Sequence, residues 1–254
     1  QCSMDTHLTR SRILVVAAAI LLASGIASGP AVGDIKEDSS GCFTKLMEAD
    51  WNVVFHDPCT RDWKEHWALD GLKATVRNSK DGMDFTAGPE AFNDAHHGVL
   101  WTRQDFSGDL KIEYEYTRLD TELQMVTILY MQATGSGNPG FEKDISSWAE
   151  KRTVPAMKTY FNNMNTYHIS YAAFGTKNTI PDKDYIRGRR YMCNGLKGTE
   201  LENEYENTGF FEPGVPHKIT VIKRDRDLYM QIKNDDKEML CHFINAKFPP
   251  IMEG

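Results

Sequence analysis

The chain is dominated by short runs of β-favouring residues that are separated by Gly, Pro, Asn and Asp, without a long amphipathic helix between them. In residues 110–116 apolar and aromatic side chains alternate with charged ones, which is typical of an antiparallel strand with one buried and one wet face. Many short strands at this spacing predict an all-β, antiparallel sandwich or barrel. The candidate strands are residues 74–76, 83–87, 99–103, 110–118, 123–133, 166–174, 185–192, 217–224, 228–233 and 238–243.

Length and composition are those of one globular domain. The chain has 254 residues, of which 41% are hydrophobic, and a formal net charge of -7. An acidic chain is unsuited to nucleic acid, whose binding proteins concentrate positive charge. We expect the domain to span residues 43–254, after a polar linker at residues 34–42.

The amino terminus has the pattern of a secretory signal peptide. Arg10 and Arg12 precede an apolar run at residues 13–23, and small residues follow it. The run is short against the ~20 residues of a membrane-spanning helix, although an uncleaved anchor is the alternative. We therefore expect residues 1–33 to be a signal peptide with a short preceding extension, a secreted or periplasmic protein, and no membrane contact after cleavage.

The strand at residues 185–192 is the strongest candidate for a binding surface. Read with a period of two, it places Tyr185, Arg187, Arg189 and Tyr191 on one face. Two guanidiniums are costly to bury unpaired, so this face either has internal carboxylate partners or binds an anionic, ring-shaped ligand. Because the whole chain is acidic, such a local basic cluster favours a small or oligomeric anion.

The preceding strand supplies candidate proton-transfer groups. Residues 166–174 and 185–192 are expected to form a hairpin, which brings either His168 or Tyr171 beside the arginines. The register is not readable from sequence, so both remain candidates, and a structural histidine bonded to a carbonyl is the alternative for His168.

Further candidates surround this strand pair. His97, Trp101 and Gln124 are predicted to contribute to substrate binding. The long connection at residues 134–165 is expected either to cover a ligand as a flap or to form its own small core. Three of its aromatic residues, Trp148, Tyr160 and Phe161, are available to cover a ligand, and Trp148 is predicted to contribute to substrate binding.

Cysteine spacing and motifs exclude several classes of site. No phosphate-binding loop, nucleophile elbow or metalloprotease helix is present, and transition-metal binding is not expected. No cofactor is expected, with a structural calcium ion left open. In an exported chain the four cysteines after the leader permit two disulfides, with Cys42–Cys59 the first pairing to test and Cys193 a candidate free thiol.

Three segments, residues 97–101, 165–171 and 186–194, together resemble the YesU-like bacterial domain family of unknown function, number 1961 among such families. The resemblance extends from about Trp51 onward and implies a concanavalin A-like jelly-roll sandwich, often encoded near genes for degrading uronate-containing polysaccharides. Family members continue beyond residues 248–251 into one or two closing strands. Relative to them, this sequence is expected to be a fragment or to lack its last strand, which leaves an open sheet edge.

Four functions are consistent with these residues. The first is a polysaccharide lyase that acts by β-elimination on an acidic polysaccharide or oligosaccharide, because arginine can neutralise a uronate and tyrosine or histidine can move protons. Here Arg187 and Arg189 hold the carboxylate, and Tyr171, Tyr191 or His168 transfers the proton. The others are a non-catalytic carbohydrate-binding module, a glycoside hydrolase with unidentified carboxylates, and a structural Arg/Tyr ladder paired with Glu113 or Glu115.

Overall fold

The computed structural model describes the backbone of residues 12–23 and the full residues 39–121, 126–172 and 184–254. It contains two α-helices, α1 (Ser39–Met47) and α2 (Met157–Asn163), and 3-10 segments at Trp63–Glu65, Asp94–His96 and Ile145–Arg152. The strands are β1 (Arg12–Ala23), β2 (Trp51–Asp57), β3 (Trp67–Asp70), β4 (Thr75–Ser79), β5 (Gly82–Thr86), β6 (Val99–Thr102), β7 (Leu110–Arg118), β8 (Thr127–Gly135), β9 (Met164–Ala172), β10 (Tyr185–Met192), β11 (Glu200–Glu206), β12 (Pro216–Arg224), β13 (Asp227–Lys233) and β14 (Glu238–Ile244).

The strands form a two-layered antiparallel sandwich. One layer has the order β4-β5-β1-β7-β12-β13-β14, with β2 also paired to β1, and the other has the order β11-β10-β9-β8. A single pairing of Glu202 with Ile244 joins β11 to β14, where the sheet turns from one layer to the other. Strands β3 and β6 form a separate two-stranded ribbon. This arrangement confirms the predicted all-β jelly-roll class.

The core lies between the layers and is built from alternate residues of the strands, as the period-two pattern predicted. On the β10 side Ile186 is fully buried, and Gly188 faces Phe243. A Cβ atom at Gly188 would lie 2.9 Å from the Phe243 ring, so only glycine fits this position. The apolar core includes Leu110, Ile112, Ile169, Ile219, Val221, Leu228, Met230, Ile232, Cys241 and Phe243.

The apolar run near the amino terminus is a strand in this fold. Strand β1 pairs with β7 along one side, and with β5 and then β2 along the other. The sequence instead predicted that this segment is a signal peptide, which is removed from a mature protein. Cleavage and export remain predictions. Because Arg12–Ala23 is a strand of the fold, removing this segment and measuring stability tests them.

The start of the domain also differs from the expectation. Helix α1 begins at Ser39, inside the predicted linker at residues 34–42, and packs Phe43 against Tyr229 of β13. Cys42 and Cys59, the pair expected to be bonded first, are both free thiols in the structure. Among the described residues, no helix is long and apolar enough to cross a membrane.

Candidate functional site

The Arg/Tyr face of β10 lies on the outer side of its sheet, away from the core between the layers. Tyr185 packs in a small cluster with Ala172, and the Arg187 guanidinium lies 4.9 Å from the centre of the Tyr185 ring. At the other end of the strand, Tyr191 packs in a second apolar cluster. The four predicted side chains therefore share one face, as the period-two reading indicated.

The register of β9 against β10 decides between the two proton-transfer candidates. His168 pairs with Arg189 and Ser170 pairs with Arg187, so both side chains are on the Arg/Tyr face. Tyr171 points to the opposite side, where its hydroxyl lies 3.0 Å from that of Tyr114 in the core. The prediction that Tyr171 acts beside the arginines is therefore corrected, and burial raises its pKa well above the ordinary value.

The arginines have carboxylate partners on the next strand, β11. Arg189 is 8% exposed and its Nη1 lies 2.6 Å from Glu200 Oε1, with a further bond to Thr199 Oγ1 at 3.0 Å. Arg187 lies 3.6 Å from Glu204. An open anion-binding groove requires unpaired cations, so this geometry favours the structural-ladder alternative, with partners other than Glu113 and Glu115.

His168 and Tyr191 form a buried hydrogen-bonded pair, with 2.8 Å between Nδ1 and the phenolic oxygen. Burial, together with Arg189 and Arg187, lowers the pKa of His168 to about 3, so the imidazole is neutral near pH ~7. Burial raises the pKa of Tyr191 to about 12 despite the arginines. Tyr191 is therefore a poor base, because burial outweighs the lowering of its pKa by Arg189 and Arg187.

Three polar atoms on this face have no hydrogen-bond partner within the described residues: His168 Nε2, Ser170 Oγ and Arg187 Nε. All three are buried, and two of them belong to opposed residues of β9 and β10. Buried polar atoms without partners are costly in ordinary core packing. Within the predicted site, these three atoms are therefore the polar groups of the described chain that could still bond a ligand.

The connection between β8 and β9 folds over the tyrosine end of this face and forms its own small core. Trp148 is 2% exposed, with the Arg152 guanidinium 4.4 Å from the centre of its ring. Tyr160 is fully buried and stacks on Tyr130 at 5.9 Å. Trp148 is thus packing the connection rather than facing a ligand, which corrects its predicted role in substrate binding.

Asp70 holds this connection to the β3–β6 ribbon. Its Oδ2 atom accepts hydrogen bonds from Arg152 Nε at 2.6 Å, Trp101 Nε1 at 2.7 Å and the Tyr160 hydroxyl at 3.0 Å. Both ions are buried, with Asp70 at 3% and Arg152 at 2% exposure. The buried Asp70–Arg152 ion pair therefore fixes the orientation of the Trp101 indole through the bond to Asp70.

A cavity of about 1090 Å³ lies between the β3–β6 ribbon, the edge strand β8 and the inner face of β7. Its volume is slightly above the range of about 300–1,000 Å³ that is usual for small-molecule sites. Five half-buried aromatic residues line it: Trp67, Phe85, Trp101, Tyr114 and Tyr130. The Trp101 and Tyr130 rings stack at 5.4 Å and so form one continuous wall.

The predicted site residues divide between the two places. Trp101, His97 and Tyr171 line the cavity, whereas His168, Arg187, Arg189, Tyr185 and Tyr191 belong to the Arg/Tyr face and do not line it. Gln124 lies outside the described residues. The sequence did not predict four of the half-buried aromatic cavity residues, because the only signal was an aromatic residue in a strand, and most such residues are core. They are Trp67, Phe85, Tyr114 and Tyr130.

The charge of the cavity wall is acidic. Six carboxylates line it, Asp70, Glu90, Asp105, Asp120, Asp144 and Glu150, against three arginines, Arg103, Arg118 and Arg152. Arg118 and Arg152 have acidic partners in the same wall, Asp120 at 3.3 Å and Asp70 at 2.6 Å. No group of three or more metal-binding side chains comes together in the described ranges. The wall thus suits a neutral, hydroxyl-rich ligand better than an anion.

Comparisons with known proteins agree with the architecture. No family model matches the chain, and no curated protein matches it. A solved structure from Bacillus subtilis, a protein of unknown function with a galectin-like fold, matches at a TM-score of 0.54 and 15% sequence identity, covering 79% of this chain and 86% of that one. At this identity the likeness concerns the fold alone: the protein has a galectin-like β-sandwich fold.

Proposed function

We propose that this protein binds carbohydrate in the cavity beside β8. The observation that carries the proposal is the wall of half-buried aromatic rings, in which Trp101 stacks on Tyr130 and is held by Asp70. Aromatic faces pack against the C–H faces of sugar rings, while carboxylates, amides and hydroxyls bond the sugar hydroxyls. A concave site with aromatic walls and a few polar groups is the usual form of a small-ligand site.

The charge of the wall favours a neutral oligosaccharide over an acidic one in this cavity. Outside the two ion pairs of the wall, a uronate would approach four carboxylates and one arginine, Arg103. Like charges at short range in a partly desolvated site are repulsive. The predicted preference for acidic polysaccharide therefore belongs to the other candidate site, the Arg/Tyr face.

Binding and mutation test the cavity directly. Isothermal titration with neutral and uronate hexasaccharides is expected to detect binding to a neutral one, and Trp101→Ala to weaken it about tenfold or more. Because Trp101→Ala also removes a bond to Asp70, Tyr130→Leu gives a second test that leaves this bond in place. Trp63→Ala is the matched control, since Trp63 does not line the cavity. Equal affinities for all these variants would overturn the proposal.

A second candidate is lyase activity on an acidic polysaccharide at the Arg/Tyr face. It is favoured by one observation, the unbonded Nε2 atom of His168 on the same sheet face as Arg187. In β-elimination an imidazole accepts the C5 proton while a guanidinium neutralises the carboxylate. The C4–C5 double bond forms as the C4–O bond to the leaving sugar breaks, and the leaving oxygen takes a proton from solvent. His168 is 4% exposed, so substrate access requires the covering side chains to move.

Formation of an unsaturated uronate product, followed by its absorbance, tests the lyase. Both His168→Ala and Arg187→Ala are expected to abolish product formation, while His56→Ala, at an exposed position of β2, leaves it unchanged. Release of product by the His168 and Arg187 variants at the wild-type rate would exclude this site. Absence of product from every uronate polymer would exclude the activity.

The same proposal extends to family and location. Membership of the YesU-like family is supported by the three sequence motifs and by the galectin-like fold of the Bacillus subtilis protein. Export is supported by the amino-terminal sequence pattern and by the extracellular location of most polysaccharide substrates. The mass of the protein recovered outside an expressing cell tests export and cleavage together.

A further inference from the structure

Phe92 is a large exposed apolar residue that directly follows a segment lining the cavity. It follows Glu90 and Ala91, which line the cavity, and it is 69% exposed. Its φ angle is 61°, in the left-handed region that is uncommon for a bulky residue. An exposed phenyl ring and a strained backbone both cost free energy, and strain of this kind clusters at functional sites.

The loop that carries Phe92 is rigid, because hydrogen bonds tie it to a buried histidine. Gly88 N donates to the His96 carbonyl at 2.8 Å, and Glu90 N donates to His96 Nδ1 at 2.9 Å. Asn93 caps the 3-10 turn that follows and also donates to Glu90 Oε2 at 2.7 Å. The ring of Phe92 therefore projects from a fixed support, next to a carboxylate.

We propose that Phe92 is an outer sugar-binding platform, so that the cavity takes an oligosaccharide whose chain continues over its rim. The inference rests on the proposed carbohydrate function and extends it to ligand length. One sugar ring packs on the Trp101–Tyr130 wall, and a later ring of the same chain stacks on Phe92. Glu90, which is exposed beside it, accepts hydroxyl hydrogens of that outer ring.

Chain length separates the platform from the cavity. The wild-type protein is titrated with neutral gluco-, galacto-, manno- and xylo-hexasaccharides, and the best ligand is then shortened to the disaccharide. Phe92→Ala is expected to weaken hexasaccharide binding about tenfold and to leave disaccharide binding unchanged, a loss of about 1.4 kcal/mol for the longer ligand only. Val53→Ala, at a 63% exposed apolar position in β2, is the control and should change neither.

Stability supplies a second readout that a packing role would not give. Glycine adopts positive φ without strain, so Phe92→Gly is expected to raise Tm while it weakens hexasaccharide binding. A lower Tm for Phe92→Gly together with unchanged hexasaccharide affinity would overturn the inference. Equal losses for both ligand lengths would place Phe92 inside the cavity site. Absence of binding by the wild-type protein would instead refute the carbohydrate function itself.

Discussion

At the scale of single residues, His168 shows how position changes chemistry. In sequence it is one of two candidate bases in a β-type run. In the structure it is buried behind two arginines and bonded to Tyr191, so its neutral form is strongly favoured. The same burial raises the pKa of Tyr191 and so removes the tyrosine as a base. A guanidinium nearby is thus not sufficient to activate a phenol that is desolvated.

The lowered pKa of His168 predicts that the protein loses stability as the pH falls from about 6.5 towards about 3. Below the ordinary pKa the unfolded chain binds a proton that the native state does not, so acid favours unfolding. At about pH 5 this amounts to about 2 kcal/mol. Urea unfolding at about pH 7.5 and about pH 5 measures it.

The comparison of His168→Gln with His56→Gln isolates this contribution. His168→Gln should show a smaller loss between the two pH values, whereas His56→Gln, at an exposed position, should lose as much as the wild type. Burial also lowers the pKa of His217, which accounts for the pH dependence that remains in the His168 variant. An unchanged loss in His168→Gln would contradict the assignment.

At the scale of elements, the carboxylate of Asp70 anchors the β3–β6 ribbon to the rest of the fold. The ribbon has only two short strands and is not paired with either layer of the described sandwich. Asp70 links it to the β8–β9 connection through Arg152 and Tyr160, and it orients Trp101 toward the cavity. The aromatic wall of the proposed binding site therefore depends on a buried ion pair.

Loss of this carboxylate should be severe. Asp70→Asn leaves the Arg152 guanidinium buried beside a neutral amide, and removal of one partner of a buried ion pair costs about 3–5 kcal/mol. Asp81→Asn is the control, because its pair with Lys80 at 3.4 Å is exposed on both sides and should contribute at most about 1 kcal/mol. Urea unfolding of the two variants measures both values, and similar costs would show that Asp70 has no special role.

At the scale of the whole molecule, the position of β1 determines how the sandwich is closed. β1 lies between β7 and the pair β5 and β2, so its backbone bridges strands that are otherwise not paired with one another. Without it, β7 would have an unpaired edge, and exposed edges promote association between chains. The two roles of this segment therefore exclude each other: as strand β1 it must stay in the fold, whereas as a signal peptide it is removed.

A chain that begins at residue 34 tests these alternatives. If β1 is part of the working fold, this shortened protein should unfold at lower urea concentration than the full chain and should associate in solution. Light scattering and urea titration of both proteins measure these properties. Equal stability and a monomeric state of the shortened protein would instead support removal of residues 1–33 as a signal peptide.

The sequence by itself determined the fold class and the faces of most strands. The alternation in β7 and β10 encodes locally which side chains point inward, and the expected antiparallel pairing of β9 with β10 is present. The strands β2, β3 and β11 were not predicted, and β1 was assigned to the signal peptide. Strand β3 has only four residues and β11 is rich in glutamate, whereas β2 is rich in β-favouring residues. Period and turn chemistry are local properties, so they can be read without knowing the partners.

Only the tertiary structure decided what each face meets. Pairing with β11 gave the arginines their glutamate partners, and the β9 register placed His168, not Tyr171, beside them. The cavity was equally invisible in the sequence, because β3, β6, β7 and β8 contribute to it from distant positions. The tyrosines and arginines of β10 therefore share one face, as their pattern predicted, but the glutamates of β11 neutralise the charge of the arginines. The aromatic cavity lies elsewhere in the fold.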